Sequence, residues 1–242
     1  MPAIAVCVPV YRAHGEPNIA GLARDLRPAL DGLDGELVVA LNGISAVDAG
    51  LPDGVRFIDL GVNRGVAPGW NAAARAAPAC DVVVFANDDV SLGPGSLAML
   101  HRALALNPQA GIVGPVGSRF DFRNGTHVAW AQTEDRPPGE LVACDVVSGF
   151  LFALRRADFD AVGGFDDAYA PATMEEIDLN VAVHLELGLG SYVVAGVPHA
   201  HRFAVSATPA WRRISHNGRR ELLFTVHRRN RRHFFAKWAG RV

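Results

Sequence analysis

The sequence is poor in the features that would settle a class at once. Its 242 residues hold only three cysteines, Cys7, Cys80 and Cys144, far apart and without metal-type spacing. The apolar settings of Cys7 and Cys144 point to buried free thiols in a reducing compartment rather than a disulfide framework. No apolar run approaches the roughly 18 residues that span a membrane. Residues 1–10 are apolar, but no basic n-region precedes them and Tyr11-Arg12 follows, so they read as a first strand and not a signal peptide. The expected location is the cytoplasm. A formal net charge of −2 leaves no electrostatic footprint for nucleic acid. There is no G-x-G-x-x-G after the first strand and no G-x-x-x-x-G-K-[ST], which argues against a dinucleotide dehydrogenase and a P-loop enzyme. Internal repeats and domain-separating linkers are also missing. Charge is lopsided in one place only: from Trp211 onward there are ten Arg or Lys and a single acid, Glu221.

What is present is a core-forming chain, 50% hydrophobic, with alternating elements. Residues 3–10 read as a buried strand whose Pro9 belongs at its edge or exit. Residues 18–30 carry Ile19, Leu22, Leu26 and Leu30 at helical spacing. Strands are expected at 37–41 and 55–60, a loop at 63–65, a helix around 70–76, a strand over 82–85, a helix near 95–106 and a strand over 111–116. This alternation argues for an α/β fold with a mostly parallel sheet and right-handed crossovers. Further on come a hairpin over 120–130 with Asn124-Gly125 as its turn, a polar loop at 132–140 and strands at 141–147 and 150–154. A turn at 163–166, a helix over 175–187, a strand at 192–197 and a basic helical segment from about 219 to 237 complete the chain.

Four groups of residues carry chemistry. The β-branched run 82–85 leads straight into Asn87, Asp88 and Asp89. Acids at a strand exit sit where open α/β sheets bind ligands, and they suit a hard divalent cation; Asn-Asp-Asp is equally good turn chemistry. Asp89 is the metal-ligand candidate, Asp88 a ligand to metal or to a ribose hydroxyl, and Asn87 a hydrogen-bonding group for a sugar. A cation here would neutralise a diphosphate without a Walker lysine. Thr173 with Glu176 forms a capping-box pattern, yet Glu176 or its neighbour Glu175 also has the chemistry of a general base. His199 and His201, two apart at a strand end, share a face. They read either as surface histidines or as a source of one metal ligand, with nitrogen and carboxylate together suiting manganese better than calcium. Residues 63–71 form a loop and helix start able to reach a phosphate or sugar.

Together and in this order these pieces resemble the family 2 glycosyltransferases of the GT-A fold, over nearly the whole chain. Val8-Pro9-Val10-Tyr11-Arg12 is similar to the family's VPTYNR strand end, and Leu41-Asn42-Gly43-Ile44-Ser45 to its D-N-G-S element, with leucine for aspartate. Asn63, Gly65, Gly69 and Asn71 match N-x-G-x-x-x-G-x-N. Asn87-Asp88-Asp89 stands for D-x-D, a variant of rhamnosyltransferase-like members. Gly149 through Arg155-Arg156, then Gly163-Gly164-Phe165-Asp166-Asp167, echo two further motifs. Glu175-Glu176-Ile177-Asp178-Leu179 stands for E-D-x-D-L, with Ala182 where an arginine is frequent. His201, five before Ser206, matches the metal histidine, and Asn230, Phe234, Lys237 and Trp238 match the ending N-x-x-x-F-x-x-K-W.

The resemblance implies one GT-A domain, a Rossmann-like sheet flanked by helices with a small antiparallel portion and a C-terminal basic helix. Residues 1–116 would bind a nucleotide-diphosphate sugar, 117–207 would carry the acceptor and catalytic groups, and 208–242 would form a helical extension. Pro9, Tyr11, Arg12 and Asn42 would hold the nucleoside, with Asn63, Gly65, Asn71, Asn87 and Asp88 completing the donor site. Asp89 and His201, joined by Asp88, would hold Mn2+ or Mg2+, with His199 the less well-aligned histidine. Glu176 would deprotonate an acceptor hydroxyl for inverting transfer of a hexosyl or deoxyhexosyl group, and the loop 132–140 would help shape the acceptor side. The acceptor would be a glycan, lipid-linked or small molecule of surface polysaccharide or glycoconjugate synthesis. The C-terminal segment either packs on the domain, which the matching ending favours, or lies as a peripheral contact on an anionic membrane. Two other classes stay open: a sugar nucleotidyltransferase, for which residues 11–16 are a poor glycine-rich loop, and a silent nucleotide-sugar-binding protein, suggested by Leu41, Asn87, Glu176 and Ala182.

Overall fold

A computed structural model of the chain describes residues 3–11, 18–77, 79–202, 211 and 213–241. The first half runs β1 (Ile4–Val10), α1 (Ile19–Leu30), β2 (Gly35–Leu41), β3 (Arg56–Asp59), α2 (Val66–Ala76), β4 (Val82–Ala86), β5 (Val90–Leu92), α3 (Ser96–Leu106) and β6 (Ala110–Gly114). The second half runs β7 (Gly117–Asp121), β8 (Thr126–Trp130), β9 (Leu141–Cys144), β10 (Val146–Val147), β11 (Leu151–Arg155), α4 (Arg156–Ala161), a 3-10 turn (Asp167–Tyr169) and α5 (Glu175–Leu187). It then continues through β12 (Gly190–Val194), β13 (His199–His201), β14 (Arg213–His216), β15 (Arg219–Leu222) and α6 (Leu223–Lys237).

Eight strands form the main sheet in the order β3-β2-β1-β4-β11-β6-β12-β9. β1 pairs in parallel with β2 and β4, β2 with β3, and β6 with β12, while β11 and β9 run antiparallel to their neighbours. The central strands are buried on both faces, as their unbroken apolar runs require. Val6 and Val8 of β1 belong to the cluster of α1 and α3, with Leu22 and Leu100; Cys7 between them belongs to that of α2, with Trp70 and Phe85. Trp70 stacks on Phe165 at 5.0 Å and meets Phe85 and Phe152 edge-on, which packs α2 onto the sheet. Pairing of β1 with β4 ends at Cys7 opposite Phe85, so Pro9 lies beyond the last β4 partner, at the exit, where its missing donor costs nothing.

Two expectations need correction. Residues 219–222 are not helical: they form β15, paired antiparallel with β14, and the helix begins only at Leu223. The arginine-rich pattern carries no period that separates strand from helix, and pairing decided it. Thr173 and Glu176 form no capping box either. The N-cap position of α5 falls on Met174, left-handed at φ 75° and without a side-chain cap.

α6 docks by one stripe. Val226, Asn230 and Phe234, four apart, are buried, as is Trp238 just beyond. Asn230 Nδ2 lies 2.6 Å, 2.9 Å and 3.1 Å from the carbonyl oxygens of Tyr169, Ala172 and Thr173. Trp238 Nε1 and Lys237 Nζ each donate to Asp178 of α5 at 2.7 Å, and the Tyr169 hydroxyl donates to it at 2.9 Å. Packing therefore accounts for the apolar stripe, while Arg228, Arg231 and Arg232 stay on exposed positions. Trp238→Ala should destabilise the chain by about 3–5 kcal/mol in urea unfolding, a core-type cost. A change within about 0.5 kcal/mol, typical of surface positions, would make α6 an accessory tail.

Candidate active site

The chain leaves β4 through Asn87-Asp88-Asp89 at the carboxyl edge of the parallel strands. β5 then pairs antiparallel with β13, Val90 opposite His201 and Leu92 opposite His199. That register brings His201 to Asp89: Nε2 lies 3.1 Å from Oδ1. The two side chains are 3% and 10% exposed. Phe150 lies flat against the His201 ring, 4.3 Å between centroids at 11°. His199 shares the face, but its Nδ1 meets the Val197 carbonyl at 2.9 Å and it lies off the cavity wall. A buried carboxylate oxygen and an imidazole nitrogen make a donor set suited to Mn2+ or Mg2+. Among the described residues no group of three His, Cys, Asp or Glu forms a complete cage. Asp88 is pushed up to about 7, first by burial and then by the charge of Asp89, against the backbone N–H of Tyr11.

Across the cavity stands the start of α5. Thr173 and Met174 are both left-handed, at φ 83° and 75°, a rare conformation for non-glycine residues. Glu176 lines the cavity with its side chain against Gly149, where a Cβ would stand 3.0 Å from Glu176 Cγ. Glu175 is 6% exposed, and its Oε2 has no hydrogen-bond partner among the described residues. Burial raises both carboxyls, and the charge of Glu176 raises Glu175 further, while the first-turn amides of Glu176 and Ile177 oppose the rise at Glu176. Glu176, partly open to the cavity, is the better placed of the two to take a proton up.

Three of the asparagines expected on the donor, Asn42, Asn63 and Asn71, also tie the scaffold together. Asn42, buried, donates to the Gly65 carbonyl at 2.9 Å and accepts from Arg64 N–H at 2.7 Å. Asn63 accepts from Gly65 N–H at 2.9 Å and donates to the Ser215 carbonyl at 2.7 Å. Gly65, at φ 102°, lets the loop press on residues 170 and 171, where a Cβ would stand 2.8 Å from Pro171 Cα. Asn71 donates to the Phe165 carbonyl and Asp167 and accepts from Phe165 N–H, so it ties α2 to the turn before α5. Pro9, Tyr11, Asn42, Asn63, Asn87, Asp88, Asp89, Glu175, Glu176 and His201 share one cavity of about 1130 Å³. Gly65 and Asn71 lie off its wall, and Arg12 and Ser206 fall outside the described residues.

Sequence reasoning missed other parts of that wall. Phe120, His127 and Trp130 line it from β7 and β8, and Arg213 and Arg220 from the β14–β15 hairpin. The hairpin reaches the site because Asn63 bonds it twice, through Ser215 and through Asn217 N–H to the Asn63 carbonyl at 2.7 Å. The loop 132–140 contributes nothing to the wall: Gly139 N–H and the Glu140 carbonyl bond Ala195, beyond the end of β12. Arg155 bonds the carbonyls of Leu104, Asn107 and Ala110, closing the end of α3.

Two curated relatives, the N-acetylglucosaminyl-diphospho-decaprenol L-rhamnosyltransferases of two Mycobacterium tuberculosis strains, are each 30% identical, over 57% of this chain and 52% of their own. The chain spans about half the length of these relatives. Among solved structures it is similar to GalNAc-T7 with UDP, GalNAc and Mn2+, with a TM-score of 0.66 at 12% identity over 83% of this chain and 44% of that one. It is also similar to a mannosyltransferase of Pyrobaculum calidifontis with GDP-Man and Mn2+, with a TM-score of 0.54 at 18% identity over 81% of this chain and 55% of that one. At such identities these likenesses carry the fold alone, which is GT-A. Residues 5–163, well over half of the chain, match the profile of glycosyl transferase family 2, and the chain belongs to that family.

Proposed function

We propose that the chain is an inverting glycosyltransferase that moves a sugar from a nucleotide-diphosphate sugar to an acceptor hydroxyl. Glu176 is its general base, and Asp89 and His201 are its ligands for Mn2+ or Mg2+. The observation that carries the reading is the convergence of Glu176 and the Asp89–His201 pair on one cavity at the carboxyl edge of the parallel strands. A bound divalent cation would supply positive charge to a departing diphosphate. Asp89 brings one negative charge and Asn87 brings none, so the pair favours a cation already bound to phosphate. Asp88, Tyr11, Pro9, Asn42 and Asn63 border the space left for the donor.

Glu176 takes the proton of the acceptor hydroxyl as its oxygen bonds the anomeric carbon. The bond from that carbon to the diphosphate breaks on the opposite side, so configuration inverts and the diphosphate leaves with the electron pair. Raising the pKa of Glu176 by burial makes it a stronger base than an exposed carboxylate. Gly149 leaves it room to lie along the wall. The relatives named for a decaprenol-linked acceptor and a rhamnosyl group support a lipid-linked acceptor, a deoxyhexosyl donor and a place in surface glycoconjugate synthesis. No helix among the described residues is long and apolar enough to cross a membrane. The exposed face of α6, with Phe224 and Arg228, is the surface through which a lipid-linked substrate would be met peripherally.

Glu176→Gln should still bind nucleotide sugars but lower transfer by about 10²–10⁴-fold, the usual worth of a general base. Transfer at the parent rate in steady-state assays would remove Glu176 from the role. The protonated carboxyl is inactive, so the rate is low below the raised pKa and climbs as pH rises through it. The acid limb of kcat/KM should therefore lie above the ordinary glutamate value of about 4.3. Asp89→Ala should abolish the Mn2+-dependent part of donor binding in a thermal-shift series of UDP-, GDP- and dTDP-sugars. Undiminished Mn2+ dependence would place the cation elsewhere.

A further inference from the structure

β8 is an edge strand, exposed at every residue from Thr126 to Trp130, and among the described residues it pairs with β7 alone. Exposed edges are normally kept short or charged, yet this one carries Val128 and a Trp130 that is 54% exposed. The pairing explains how its side chains are aimed. Ser118 stands opposite Trp130 and Arg119 opposite Ala129, but Phe120 stands opposite His127, so Val128 is an extra residue and the register shifts there. In a regular strand, positions 127 and 130 fall on opposite faces, because side chains alternate with period two. The bulge at Val128 cancels one step of the alternation and puts both rings on the face shared with Ser118 and Phe120.

The rings then assemble. His127 and Trp130 stack at 5.3 Å and 14°, and Phe120 meets His127 edge-on at 5.1 Å. Ser118 Oγ lies 2.7 Å from His127 Nδ1 and fixes the imidazole. Partial burial of its ring lowers the pKa of His127. All three rings line the cavity that Glu176 lines, together with Leu223 and His227 of α6. The groups bordering the donor space, Pro9, Tyr11, Asn42 and Asn63, come instead from the first half of the chain.

We propose that the His127–Trp130 pair is the acceptor platform, and that the acceptor is a pyranoside whose C–H face lies on the Trp130 ring. A pyranose has an apolar face and hydroxyls around its rim, so a flat aromatic surface matches the face while the rim reaches into the cavity. The inference rests on Glu176 as the base that takes a rim proton.

The test uses octyl glucoside, octyl galactoside and octyl N-acetylglucosaminide as acceptors. Trp130→Ala should raise the acceptor KM by roughly tenfold or more, about 1.4 kcal/mol, while the KM of the donor in acceptor-free hydrolysis changes by less than about twofold. Trp130→Phe should keep most of the affinity. An unchanged acceptor KM, or a donor KM that rises in step, overturns the platform while leaving the base assignment intact. A second readout needs no turnover and so separates failure here from failure of the transferase reading. Trp70 and Trp238 are 2% and 1% exposed, so in a Trp211→Phe background acrylamide quenching reports Trp130. One of the octyl pyranosides should protect that fluorescence; protection by none of the three would overturn the proposal.

Discussion

Asn230 holds the segment on which the cavity depends. Its amide gathers the carbonyls of Tyr169, Ala172 and Thr173 from a side chain with no solvent exposure. Thr173 and Met174 then turn through two consecutive left-handed positions, each costing on the order of 1–3 kcal/mol for a non-glycine residue. Such a backbone persists only when its surroundings over-determine it. Here they do so from three sides: Asn230 from α6, the Val66 N–H on the Pro171 carbonyl at 2.8 Å, and Asp178 under Trp238, Lys237 and Tyr169. Glu175 and Glu176 begin where this segment ends, so the orientation of the acidic helix start is set by residues more than fifty positions away.

The scaffold joins both ends of the chain to that point. Asn42 and Asn63 shape the loop at Gly65, Gly65 presses on Pro171, and Asn63 also carries the β14–β15 hairpin. A motif asparagine can therefore matter without touching a ligand. Asn71 makes the point most plainly, since its amide is fully engaged with Phe165 and Asp167.

Much of this was legible in the sequence, and the reasons for the rest are physical. Buried parallel strands announce themselves as β-branched runs, so β1, β2 and β4 and the acidic exit after β4 could be read directly. Position 201 could be matched by spacing, but that His201 rather than His199 meets Asp89 follows from the β5–β13 register, which two three-residue strands do not advertise. The capping box misled because Thr173-x-x-Glu176 has the right letters, whereas the cap is decided by backbone angles that Asn230 imposes. Alternation alone would put His127 and Trp130 on opposite faces, and the single bulge residue that brings them together leaves no mark in the sequence. The arginines of 219–222 hid a strand, since charged residues on an exposed hairpin leave no apolar period.

Asp178 and Trp238 lie sixty positions apart. Contacts of that separation are slow to form, because closing the loop costs entropy before the contact repays it. The pairing of β1 with β4 is of the same kind, with Ile4 opposite Val82, so the sheet also waits on contacts distant in sequence. The acidic strand exit after β4 and the start of α5 thus both depend on the closure of long loops. The cavity between them is complete only when both the sheet and α6 have closed.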